Sequence, residues 1–121
     1  MNKISNINIL EKVNFKELKE LNLKINNISD IEVLEKVQFE KLEIINLSYN
    51  KISNINALEN VKFRKLKELN LKNNNISDIK ILSKVKFEKL EILDLRWNKI
   101  NIKNYKFIIL FLKSKIIVYI K

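Results

Sequence analysis

Apolar residues recur along this chain at a fixed step of 24. Phe15, Phe39, Phe63 and Phe87 keep the step, as do Leu18, Leu42, Leu66 and Leu90. Leu21, Ile45, Leu69 and Leu93 follow it, then Leu23, Leu47, Leu71 and Leu95. Leu21 and Leu23 alternate with Glu20, Asn22 and Lys24, the period of a strand with one buried face. Downstream, Ile28, Ile31, Leu34 and Val37 are spaced by three, which predicts a short α or 3₁₀ turn with one apolar stripe. Ser29, Ser53 and Ser77 are placed to cap these turns, and Ser29 with Glu32 has capping-box spacing. Each phenylalanine is expected to wedge between a turn and the next strand. A unit this small cannot bury its own apolar face, so the pattern means stacked repeats, each covering its neighbour.

Asn26, Asn50, Asn74 and Asn98 complete the period where the chain leaves each strand. A short amide there can bond backbone groups that would otherwise be buried unpaired, and stacking predicts a structural asparagine ladder. Asparagine also tolerates left-handed backbone, which accounts for a repeat with no glycine. The unit therefore reads L-x-x-L-x-L-x-x-N-x-I: Leu18, Leu21, Leu23, Asn26 and Ile28, recurring at 42–52, 66–76 and 90–100. This resembles the leucine-rich repeat family over nearly the whole chain. The I-S-D-I-x-x-L return half is similar to the phosphatase-regulator and dynein-light-chain subclass and to internalins. The resemblance implies an α/β solenoid, a right-handed horseshoe with a parallel concave β-sheet and short α or 3₁₀ helices on the convex side.

Residues 1–103 form the repeats: a half-repeat over 1–14, then full units from 15, 39, 63 and 87. Ile4, Ile7, Leu10 and Val13 make the half-repeat, which leaves an N-terminal strand edge open to self-association. Residues 104–121 read as a capping helix and strand. Tyr105, Ile108, Ile109 and Leu112 have helical spacing, and Ile117 and Tyr119 fall on the step from Leu93 and Leu95. An amphipathic membrane contact over 107–120 is the alternative for this end.

A second period of 48 residues overlies the first. Residues 13–24 match 61–72, and 37–50 match 85–98, better than adjacent repeats match each other. Outward strand positions build the candidate partner-binding face in columns. The first is Glu20, Ile44, Glu68, Ile92. The second is Asn22, Asn46, Asn70, Asp94, whose three identical amides either bond one another across strands or meet a ligand. The third is Lys24, Ser48, Lys72, Arg96. Tyr49 and Trp97 stand at the rim with Ile25 and Asn73. Exposed aliphatic, aromatic and arginine side chains are the usual material of binding hot spots.

Composition narrows the chemistry. The 121 residues contain no Cys, His, Gly or Pro. The commonest general base, thiolate metal sites and glycine phosphate loops are thereby removed. No nucleophile has a partner, so neither an enzyme nor a cofactor or metal site is expected. The net charge of +10 is uneven: 8 Lys face 9 Asp plus Glu in residues 1–60, but 16 Lys plus Arg face 5 in residues 61–121. A basic half attracts nucleic acid, anionic membrane or acidic protein, although an AT-rich genome also favours lysine. The first residues lack an apolar signal region, and a cysteine-free chain fits a cytoplasmic, reducing setting. The expectation is an intracellular scaffold that binds a protein partner on its concave face, with a basic-surface binder of nucleic acid or anionic lipid as the alternative.

Overall fold

A computed structural model describes residues 2–104, 106 and 116–121. Five three-residue strands form one parallel sheet in chain order: β1 (Glu20–Asn22), β2 (Ile44–Asn46), β3 (Glu68–Asn70), β4 (Ile92–Asp94) and β5 (Ile117–Tyr119). The 3₁₀ helix η1 (Asn8–Lys12) precedes β1, and η2 (Glu32–Glu35), η3 (Asn56–Glu59), η4 (Lys80–Ser83) and η5 (Ile102–Asn104) run between successive strands. The helices from η1 to η4 pack in sequence against one another on the side away from the sheet.

The register keeps the 24-residue step through four strands, pairing Leu21 with Ile45, Ile45 with Leu69, and Leu69 with Leu93. The ladder continues past the strands: Leu23 N donates to Asn46 O at 2.8 Å and Tyr49 N to Lys72 O at 2.9 Å. The core fills the layer between sheet and helices. Ile28, Ile52 and Ile76, Ile31, Ile55 and Ile79, and Leu34, Leu58 and Leu82 are all buried. Each such side chain contributes about 1.5–3 kcal/mol, and the repetition spreads that gain evenly along the stack. Phe39 and Phe63 are buried and Phe87 half-buried, while Phe15 is exposed and stacks on Phe39 at 6.0 Å.

Three expectations are corrected. The serines do not cap the helices. Asp30, Asn54 and Asp78 each accept from the backbone N–H two residues on, at 2.8, 2.8 and 3.0 Å, and Asn6 does the same for Asn8. These Asx turns lead into 3₁₀ helices whose cap positions, Ile31, Ile55 and Ile79, make no side-chain cap bond.

The left-handed residues are not the ladder asparagines but those just before them. Ile25, Tyr49, Asn73 and Trp97 have φ of 59°, 58°, 53° and 58°.

The fifth strand exists, but its facing is reversed. Leu93 pairs with Val118, and Ile92 and Asp94 pair with Ile117 and Tyr119, a step of one residue more than the repeat. Ile116 is buried and Val118 packs against the core, while Ile117 and Tyr119 face outward. The helical part of the expected cap, around Tyr105, Ile108, Ile109 and Leu112, lies outside the described residues, as does most of the stretch 107–120. Among the described residues no helix is long and apolar enough to cross a membrane.

Candidate functional site

The chain's exit from each strand is built by its asparagine. Asn50 Nδ2 donates to Leu23 O, Leu47 O and Ser48 O at 3.0, 3.0 and 3.2 Å, while its Oδ1 accepts from Ile28 N at 3.0 Å. Asn74 and Asn98 repeat the same set one and two turns along. Asn26 starts the series, bonding Leu23 O and accepting from Ile4 N. Each amide thus bonds both its own turn and the preceding one, which fixes the spacing of the outward columns.

The outward columns lie as strand pairing dictates. Glu20, Ile44, Glu68 and Ile92 stand side by side, with Ile117 beyond them. Ile44 and Ile92 are half-buried by their neighbours. In the second column Asn22, Asn46 and Asn70 do not bond across strands. Their Oδ1 atoms accept from the backbone N–H of Lys24, Ser48 and Lys72 at 3.1, 3.0 and 3.0 Å. Their Nδ2 donors make no hydrogen bond among the described residues, so the column presents donors to the concave side.

In the fourth repeat the arrangement becomes charged. Asp94 is buried, and Arg96 bonds it from Nε to Oδ1 at 2.9 Å and from Nη2 to Oδ2. Burial pushes the Asp94 carboxyl up, but the Arg96 side chain, the Arg96 backbone N–H and the nearby Lys72 together hold it below the ordinary value. The Arg96 guanidinium also lies 4.8 Å from the Tyr119 ring centre.

The rim and the third column meet in one cluster. Lys72 Nζ lies 4.3 Å from the Trp97 ring centre and 5.8 Å from that of Tyr49. The two rings meet edge to face at 6.4 Å and 89°. They belong to repeats two and four, and Asn73 is the rim residue between them. Trp97 is 58% exposed. The structure therefore gathers Tyr49, Lys72, Asp94, Arg96 and Trp97 into one patch. Glu20, Asn22 and Lys24 lie at the far side of the sheet.

Tyr119 and Ile117 join the concave face, and sequence reasoning missed both. They lie in a run, Ile116–Ile120, that is apolar on both faces, so alternation does not choose a side. The left-handed rim was missed too. A β-branched Ile25 hides a positive φ that glycine would have announced.

A leucine-rich repeat model matches residues 16–76, and a second leucine-rich repeat model matches residues 88–101. Among solved structures the chain is similar to an internalin (inlF) from Listeria monocytogenes, with 27% identity and a TM-score of 0.78. It is also similar in fold to an internalin C2 (inlC2) from the same organism, with 23% identity and a TM-score of 0.70. Each likeness covers 98% of this chain, which spans 32% of the first internalin and 48% of the second. No curated protein matches the chain.

Proposed function

The chain belongs to the leucine-rich repeat family, and we propose on that premise that it receives a partner protein on its concave face, around Tyr49, Lys72, Ile92, Arg96 and Trp97. Repeats of this family generally mediate contacts between proteins, and the fold is typically a non-enzymatic interaction module.

The observation that carries the reading is the Lys72 ammonium set against the faces of Trp97 and Tyr49 on an open surface. A lysine ordered by aromatic rings has given up rotamer freedom before any partner arrives. Its ammonium has no carboxylate within ion-pair distance among the described residues. A partner carboxylate meeting Lys72, with an apolar side chain against Trp97 and Ile92, would cover both kinds of surface at once. Desolvated aromatic and cationic anchors of this kind dominate protein interfaces.

The test is affinity capture from a lysate of the source organism, with the native chain and a variant carrying Ile44→Ala, Tyr49→Ala, Ile92→Ala and Trp97→Ala as baits. A protein held by the native chain and released by the variant supports the concave face. Equal retention by both baits, lost as salt rises, contradicts it and favours a diffuse basic surface instead.

A further inference from the structure

Residues 13–24 and 61–72 differ at three positions: Asn14 against Lys62, Lys16 against Arg64, and Glu17 against Lys65. All three residues of the later copy line one surface groove of about 540 Å³, whose other wall is Gln38, Glu40 and Lys41 of the preceding repeat. Divergence within this duplicated segment is thus confined to a single place, and it turns that place basic. Gln38 is likewise replaced by Lys86 one unit on.

The side chains of Lys62, Arg64 and Lys65 are exposed, and none enters an ion pair or hydrogen bond among the described residues. In the first repeat the equivalent Glu17 is already paired with Lys41, at 2.8 Å. Lys41 is thereby partly neutralised, and although Glu17 also feels the charge of Lys65, most of the groove's positive charge sits on the wall made by Lys62, Arg64 and Lys65. The groove lies before β3, whereas the aromatic cluster lies after the strands, at the opposite end of the repeat.

We propose that this groove docks an acidic polypeptide segment of a protein partner. Carboxylates would meet Lys62, Arg64 and Lys65, with Arg64 able to take one in bidentate fashion. Glu40 and Gln38 decide between anions. A peptide offers backbone N–H donors that a carboxylate and an amide oxygen can accept, whereas a phosphodiester backbone offers acceptors only. The groove also lacks an aromatic ring on which a nucleobase would stack. The surface is independent of the concave-face reading and stands or falls without it.

The experiment is fluorescence anisotropy of a labelled short peptide of alternating Glu and Ser, titrated with the full chain at low salt. The groove variant is Lys62→Asn with Arg64→Lys and Lys65→Glu. It restores the residues of the first repeat, so the fold tolerates each of them. A control, Lys51→Glu with Lys80→Asn, removes the same net charge elsewhere.

The groove variant is expected to bind about tenfold more weakly or worse, the combined effect of lost exposed ion pairs. The control keeps native affinity. Equal weakening in groove variant and control would overturn the proposal, as would tighter binding of a single-stranded oligonucleotide or of phosphatidylserine vesicles. Absence of peptide binding by the native chain would overturn it as well.

Discussion

Arg96 lays its guanidinium along Asp94, donating from Nε to Oδ1 at 2.9 Å, where two repeats earlier Ser48 Oγ donates to Asn46 Oδ1 at 2.6 Å. The two positions have changed together between the duplicated units, exchanging a neutral pair for an ion pair in the same backbone frame. The pair is therefore coupled. Arg96→Ser alone leaves a buried carboxylate without its counter-charge, and Asp94→Asn alone leaves a half-exposed guanidinium that water can serve. The first is expected to cost more than the second, and the double change to recover most of the loss by recreating the second repeat's pair. A double-mutant cycle in urea should give a coupling of about 0.5–3 kcal/mol; additivity would contradict it.

The same pair sets an acid limit on stability. Burial raises the Asp94 carboxyl and the bonds to Arg96 lower it further, so its folded value lies below an unfolded value of about 3.9. A group depressed on folding contributes stability that is fully present above the unfolded value and lost as pH falls through the folded one. The urea midpoint of the native chain should therefore drop as pH falls below about 4. Asp94→Asn should flatten that drop. Glu17, lowered by its bond to Lys41, acts in the same direction but is exposed, so its part fades with added salt. An unchanged acid limb in the Asp94→Asn variant would refute the assignment.

Asn50 joins two turns, and its removal should be costly. Leu23 O and Leu47 O keep bonds from Asn26 and Asn74, but Ile28 N loses its partner in a fully buried position. Asn50→Ala should destabilise by about 3 kcal/mol, an orphaned buried donor plus the lost bonds. Asn26→Ala should cost less, because Ile4 is exposed and its N–H can turn to water. Urea unfolding of both variants checks the order.

Ile25 holds a φ of 59° with a β-branched side chain. Left-handed backbone costs such a residue about 1–2 kcal/mol. Asn73 occupies the equivalent position two repeats on with the same geometry. Ile25→Asn should raise stability by about 1 kcal/mol in urea unfolding, with no change in the fold's circular dichroism. Destabilisation would show that the exposed Ile25 side chain packs to more effect than the strain costs.

The architecture was legible because its signal was repeated. Leu21 and Leu69 stand alone between polar neighbours, so alternation fixed both the strand and its facing there, and the 24-residue step carried that facing to Ile45 and Leu93, which follow the apolar Ile44 and Ile92. Ile117 broke the reading because Val118 beside it is also apolar, and a one-residue slip reverses every side chain of so short a strand. Ser29 attracted the capping assignment by residue type, yet Asp30 makes the bond, since a 3₁₀ start is reached through an Asx turn rather than a side-chain cap at the helix boundary. For the candidate face, the columns followed from the period, but the meeting of Tyr49 with Trp97 did not. They lie two repeats apart, and only the turn geometry at their positive φ aims both rings at Lys72.

The most direct measurement is site-specific photocrosslinking in a lysate of the source organism. Benzoylphenylalanine would be placed at Trp97 or Ile44 on the concave face, and at Lys51 or Lys80 away from it. The account predicts one discrete protein adduct from the two concave positions and none of that species from the other two. The same adduct arising from Lys51 or Lys80, with none from Trp97 or Ile44, would contradict it.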